Sequence, residues 1–238
     1  MIPLAWLSGL NPAPLTPEQT ERRQALPAVH SLDDTALNAA RLVVVDVETT
    51  GLNVRRDNIL SIGAVVIEGG AVDLGSQFER MLYRPNHKVT ETVLIHGIAP
   101  GAVKQGMPAP DALLDFMEFA GECVFMAFHA PFDRRMLTRG LRQDLGHTLR
   151  HRFIDIADLA PMLCPEAKVG RGGLDEWQDY FNLSNSERHN AAADALVTAE
   201  IALILLSKAR AQKIVTLKEL NDRLVHWRRL RQSRSGRF

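Results

Sequence analysis

Only two cysteines, Cys123 and Cys164, occur in the 238 residues. Two thiols cannot staple a disulfide-dependent scaffold, and a reducing compartment, the cytoplasm, is their simplest setting. Long hydrophobic runs are missing too: the longest aliphatic stretch, Ile201 to Leu206, falls far short of the roughly 20 residues a membrane helix needs. Several chemical signatures are also absent. Without GxxxxGK[ST] there is no phosphate loop, and the GRGG at 170 to 173 runs into Leu174 and Asp175 instead. GxSxG, HExxH and CxxC do not occur, which removes the serine-nucleophile elbow, the two-histidine zinc site and the dithiol redox pair. An excess of either charge is lacking as well, with 28 basic and 28 acidic side chains.

What is present is enough apolar material, 46% of residues, to build a core, so neither collagen nor wholesale disorder fits. Zero net charge is a cancellation: residues 208 to 238 hold ten Lys and Arg against two acids, net +8, and residues 1 to 207 hold 18 against 26, net −8. The last eleven residues, RRLRQSRSGRF, carry five arginines and no acid. Such a run reads as a solvated, unfolded tail, or more sharply as one that contacts nucleic acid.

Residues 1 to 40 hold five of the twelve prolines and form an extension, with short helices expected around Pro17 to Leu26 and Ser31 to Ala40. Met1 to Leu10 is apolar, but no Lys or Arg precedes its apolar part and Pro3 interrupts it. It reads as a docking segment for this chain or a partner rather than as a secretion signal.

From Arg41 the pattern is regular. Leu42 to Val47, Ile59 to Glu68 and Gln77 to Tyr83 read as a meander of three strands, punctuated by Gly51, Asn53, Gly69, Gly70 and Pro85. Ala109 to Ala120 has helical spacing, Cys123 to Phe128 is an apolar strand, and Pro131 to Arg142 is a helix entered through proline. A short strand follows near Phe153 to Ile156, then helical turns at Leu159 to Leu163 and a helix from Leu174 to Phe181. Asn190 to Lys213 is the longest helix, and its apolar middle predicts burial. A meander followed by β/α alternation predicts an α/β fold, a mixed sheet flanked by helices. The organisation is an extension (1–40), a main body (41–209), and a helix end with a basic tail (210–238).

Acids interrupt this pattern at three places. Asp46 and Glu48 stand at i and i+2 on a strand, so both carboxylates leave one face at the edge of an apolar core. A strand end turning towards solvent accounts for one acid; two on one face, followed by Thr49, Thr50 and Gly51, favour a bound cation that offsets their repulsion. Asp133 follows a buried strand in the turn HAPFD, where an acid is often only a favourable partner of the helix dipole. Asp194 is the only charged residue between Arg188 and Glu200, inside a helix of Ala, Leu and Val, and a buried carboxylate needs a counter-ion, a metal or a proton. His189 precedes it at the same helix terminus. Carboxylates without cysteine or clustered histidine are hard oxygen ligands that suit Mg²⁺ or Mn²⁺. Metal-assisted hydrolysis of a phosphodiester is the chemistry left standing.

VVVDVETTGL (43 to 52), AFHAPFD (127 to 133) and RHNAAADA (188 to 195) together resemble, in order and spacing, the three motifs of the DEDDh 3′→5′ exonucleases. The pattern is close to that of the epsilon proofreading subunits of bacterial DNA polymerase III, and it covers roughly Arg41 to Ala209, including IHGI at 95 to 98. The resemblance implies an RNase H-like fold with a five-stranded mixed sheet. It implies that Asp46, Glu48, Asp133 and Asp194 hold two Mg²⁺ or Mn²⁺ ions, and that His189 is the general base. It further implies contacts to the terminal nucleotide by Thr49, through its backbone, by Leu52 as an apolar wedge, and by His96 and Phe132 in the same pocket. One position departs: Phe128 and His129 replace the usual His-Asn pair, which bears on substrate preference, since every metal ligand is kept. DNA 3′ ends are the expected substrate. RNA trimming, as in oligoribonucleases and RNase T, is the first alternative, and an idle nucleic-acid-binding or polymerase-associated module is the second. The extension is the expected contact for a polymerase or a second copy.

Overall fold

The structure is a computed structural model that describes residues 14–85, 97–169, 172–184 and 189–235. Five strands form one sheet in the order β3-β2-β1-β4-β5. Strands β1 (Leu42–Thr49), β2 (Ile59–Glu68) and β3 (Ala71–Met81) pair antiparallel as the predicted meander. Strands β4 (Val124–Ala127) and β5 (Phe153–Asp155) add in parallel beyond β1. The turn between β2 and β3 is made by Gly69 and Gly70 at φ +62° and +78°, the left-handed pair that a two-residue hairpin turn requires. Strand β3 starts earlier than its sequence pattern indicates, because a register irregularity at Val65 and Val66 lets residues 74 to 76 bulge outwards with Leu74 exposed.

Alternation along β1 feeds two cores. Val43, Val45 and Val47 face helices α3 (Ala109–Ala120) and α4 (Ala130–Leu145), while Leu42 and Val44 face the other layer. That second layer holds α5 (Ile156–Leu163), α6 (Leu174–Tyr180), α7 (Ala191–Ala211) and α8 (Leu217–Ser235). A one-turn helix, α2 (Pro100–Val103), precedes α3. Helix α7 is buried along its length as its composition predicts, from Ala191 to Ala209. None of the described helices is long and apolar enough to cross a membrane.

Among its described residues the extension contains one helix, α1 (Pro17–Gln24), started by a capping box between Thr16 and Gln19. It lies on α3, where Arg22 pairs with Asp115 and Glu118, both at 2.7 Å, and Gln19 donates to Asp111. The second helix expected at Ser31 to Ala40 does not form. Asp33 instead accepts from the Thr35 amide in a side-chain turn, and Ala36 bridges to Thr216 while Leu37 donates to the Val215 carbonyl. Long-range backbone pairing has replaced local helix formation there, and Leu37 and Ala40 are buried.

The basic tail is the larger correction. Over its described residues it is no unfolded appendage: residues 217 to 235 form α8. Leu217, Leu220 and Leu224 fall at i, i+3 and i+7 on its buried side, each contributing about 1.5–3 kcal/mol of burial. Beyond them Asp158 of α5 fixes two arginines, accepting from Arg228 Nε at 2.6 Å and pairing with Arg231 Nη1 at 3.6 Å. The Arg231 guanidinium also sits 5.1 Å over the Trp227 ring. Residues 1 to 13, the proposed docking segment among them, lie outside the described residues.

Candidate active site

Three chain segments bring acids to the end of β1. On the strand itself, Asp46 and Glu48 continue the parity of Leu42 and Val44 and so emerge on the face covered by α7. A register irregularity between Glu48 and Thr49 ends the pairing there. The chain then closes a tight loop, in which the Thr50 amide donates to the Asn58 carbonyl and the Asn58 amide to the Thr50 hydroxyl. Asp57 braces the loop from inside, accepting from the Asn53 amide at 2.8 Å. Thr49 is buried, with its hydroxyl donating to the Gly51 carbonyl at 2.8 Å. Leu52, by contrast, is 82% exposed on a loop this well tied.

Helix α7 delivers the second group. Asn190 caps it, accepting from the Ala193 amide at 3.0 Å, and Asp194 sits in the first turn, buried. The helix can lie this low on the sheet because β2 has no side chain where it crosses. Gly63, the β2 residue opposite Asp46, faces Ala191 so closely that a β-carbon there would be 2.1 Å from the Ala191 carbonyl carbon. His189 precedes the cap at φ +64°, and its amide donates to Asp194 Oδ2 at 3.1 Å. Glu48, His189 and Asp194 thereby each present a ligand atom, all within 4.8 Å of one another.

The third group is Asp133, buried in the first turn of α4. His129 starts that helix at φ +61° with its ring edge-on to Phe128. Burial pushes the Asp133 carboxyl well above the usual carboxylate range, opposed by its own amide and that of Val47 and reinforced by the negative fields of Asp155 and Glu48. Val47 and Glu48, which respectively lower and raise it, both belong to β1, so the Asp133 carboxyl stands beside that strand. Acids that cluster in this way, with histidine as the only nitrogen donor among them, fit a hard divalent cation. Phe132 is half-buried against the α3/α4 core. His96 lies outside the described residues.

Two contributors went unnoticed in the sequence. Gly63 is one, and its only signal was a glycine inside a strand. Asp155, buried at the end of β5, is the other. It caps α5 through the Ala157 amide at 3.1 Å and also accepts from the Ala130 amide at the start of α4, at 3.3 Å. One carboxylate thus fixes the entrance of the helix that carries Asp133. Burial, then the charge of Asp158, raises its pKa, while the two amides and Arg228 pull it down.

Set beside known proteins, this arrangement has clear kin. Residues 43–202 match the exonuclease family represented by RNase T. The chain belongs to that family, and it is a nuclease. Among characterised sequences it is similar to the PolC-type DNA polymerase III of Clostridium perfringens, 34% identical over 186 residues, covering 77% of this chain and 12% of the polymerase. The PolC-type polymerase of Thermotoga maritima is 29% identical over 196 residues, covering 82% of this chain and 14% of its own. The chain therefore spans only about an eighth of the length of these relatives, 12% and 14%. Among solved structures, Exonuclease X in complex with 5′ overhanging duplex DNA superposes with a TM-score of 0.60 at 20% identity, covering 77% of this chain and 99% of that one. E. coli Exonuclease I in complex with a dT13 oligonucleotide gives 0.59 at 15% identity, covering 73% and 42%. These superpositions show a shared RNase H-like fold with its mixed five-stranded sheet flanked by helices.

Proposed function

We propose that this chain hydrolyses the phosphodiester bond at the 3′ end of DNA, releasing one nucleoside 5′-monophosphate at a time, with two Mg²⁺ or Mn²⁺ ions bound. The observation that carries this is the convergence of Glu48, His189 and Asp194 within 4.8 Å, at the end of the strand that also bears Asp46. Asp46, Glu48, Asp133 and Asp194 would hold the ions. When bound, the ions would supply charge stabilisation for the phosphate and an acidified water.

The protein's own groups do the rest. His189 takes the proton of the attacking water as its oxygen bonds to phosphorus, the bond from phosphorus to O3′ breaks, and the departing oxygen takes up a proton. The left-handed backbone at His189 turns the chain just ahead of α7, and the hydrogen bond from its amide to Asp194 holds it beside the acids. The Thr49 backbone lies beside the terminal 3′-OH. Leu52, exposed on its braced loop, stacks against the last base and parts it from its neighbour, with Phe132 lining the same pocket.

DNA is favoured as substrate by the kinds of proteins this chain is similar to, PolC-type DNA polymerases in sequence and nucleases solved with DNA in fold. The same likeness supports work beside a polymerase in the cytoplasm, the reducing setting that Cys123 and Cys164 suit. The test is incubation of 5′-labelled single-stranded and duplex DNA, and of matched RNA, with Mg²⁺, Mn²⁺ or EDTA. Stepwise shortening of DNA from the 3′ end, abolished by EDTA, is expected. Shortening that survives EDTA would end the metal mechanism, and faster loss of RNA would reassign the substrate.

A further inference from the structure

Helix α4 does two things at once. Its inner side carries Asp133, Met136, Leu137, Gly140 and Leu141 into the core. Its outer side carries Arg134, Arg135, Arg139 and Arg142, and these line an open groove of about 980 Å³ together with Val54 and with Arg228 from α8. An ordinary solvated helix face interleaves acids with bases at i and i+4, so that neighbours attract. This face sets Arg135 against Arg139 at that spacing. Its nearest acids are committed elsewhere: Asp133 is buried, and Asp144 pairs with Arg84 at 2.9 Å. Among the described residues, Arg134, Arg135 and Arg142 have no ion-pair partner, whereas Arg139 donates to the Asp57 carbonyl and braces the Leu52 loop. Among the described residues, the only acid lining the groove is Asp155, 3.9 Å from Arg228.

The charges run in a row, and they do so on a body whose residues 1 to 207 are net −8. From Arg134 to Arg142 the helix rises about 12 Å at about 1.5 Å per residue. One strand of B-form DNA carries a phosphate every ~3.4 Å of axis, so the row matches about three phosphates of a linear polyanion. A single small anion would require converging donors, not a line of them. The groove begins at Ala130 and Pro131, the same helix end from which Asp133 turns inwards, and Val54 in its wall belongs to the loop that carries Leu52. It therefore adjoins the acid cluster but lies round the helix from it.

We propose that this groove is a second nucleic-acid site, which holds the phosphate backbone away from the bond being cut. The inference rests on the phosphodiester reading above, and it assigns Arg134, Arg135 and Arg142 as positioning residues that act on long substrates alone. The backbone seated there belongs either to the degraded strand, further along, or to its complement in a duplex.

The test replaces the three arginines together (Arg134→Gln, Arg135→Gln, Arg142→Gln) in the full chain. A matched control removes three exposed charges elsewhere (Lys104→Gln, Arg210→Gln, Lys213→Gln). Binding of fluorescein-labelled 20-nucleotide single-stranded and duplex DNA is followed by anisotropy in EDTA, from low to high salt. The groove variant is expected to bind at least about tenfold more weakly at low salt, with a log–log salt slope shallower by about two, at about 0.7–0.9 for each phosphate that is no longer neutralised. Hydrolysis of the p-nitrophenyl ester of thymidine 5′-monophosphate, which offers one phosphate and no backbone, should stay within twofold of wild type. Weakening on single strand and duplex alike assigns the groove to the degraded strand, and weakening on duplex alone assigns it to the complement. Unchanged affinity and slope, or an equal loss in the control, would overturn the proposal. If the wild type binds through the groove yet cleaves nothing with any cation, the catalytic reading falls and the groove stands.

Discussion

Gly63 on β2 and Ala191 on α7 touch backbone to backbone: a β-carbon on the glycine would lie 2.1 Å from the alanine's carbonyl carbon and 2.2 Å from its oxygen. No side-chain adjustment relieves a clash with main chain, so any larger residue lifts the helix off the sheet. That helix carries Asp194 in its first turn, two residues past the contact with Ala192 and opposite the strand that bears Asp46 and Glu48.

Gly63→Ala is therefore expected to separate Asp194 from Glu48 and to cost more in activity than in stability. Overpacking of this kind destabilises by about 1–3 kcal/mol, measurable by urea unfolding. A shift of about 1 Å at a catalytic group lowers rates on the order of a hundredfold. Cleavage within twofold of wild type would mean that the close approach does not set the site.

Asp194 and His189 should separate by readout. Asp194→Asn is expected to abolish high-affinity Mn²⁺ binding in calorimetry and nearly all cleavage. His189→Asn, chosen because asparagine tolerates a positive φ, should keep Mn²⁺ binding and lose about 10²–10⁴-fold in rate. Loss of metal affinity in the histidine variant would make it a ligand rather than a base.

His151 predicts an acid-side weakness of the fold. It is buried with its ring 5.1 Å from that of Phe125. Burial lowers its pKa, aided by His147 and opposed by the Gly121 backbone. Below histidine's ordinary value, about 6.5, the unfolded chain takes up a proton that the folded one refuses. Stability is then intact above that ordinary value and is lost as pH falls from there through the folded pKa. His151→Phe keeps the ring and removes the proton, so its urea midpoint should fall less between neutral and mildly acid pH. A pH profile parallel to wild type would refute this.

Truncation after Trp227 should leave the fold standing, since Leu217, Leu220 and Leu224 remain. It removes Arg228 from the groove and frees Asp158. Nucleic-acid binding should weaken and its salt dependence flatten. An unchanged slope would make the end of α8 structural only.

Strands, acids and the long buried helix were legible because each is a local pattern: a β-branched run, a charge inside it, an apolar stretch between caps. What stayed hidden depends on partners far along the chain. Ser31 to Ala40 has helix-compatible spacing, but its backbone finds partners at Val215 and Thr216. In α8 the arginines mask three leucines whose spacing becomes meaningful only against α5 and α7. The row on α4 was invisible in the charge count, since acids elsewhere cancel it. Asp155 carries no signal in the sequence, because its second partner, the Ala130 amide, is 25 residues away along the chain.

The contact between α1 and α3 bears on any titration with salt. Arg22 is held by two partly exposed carboxylates, Asp115 and Glu118, which share the neighbourhood with Arg80 at 3.2 Å from Asp115. Such pairs are screened over about 10 Å at 0.1 M ionic strength. Raising the salt is thus expected to loosen the N-terminal clasp as well as any hold of the α4 groove on a polyanion. The two responses are told apart by protease cutting near Pro27, which reports the clasp with no nucleic acid present.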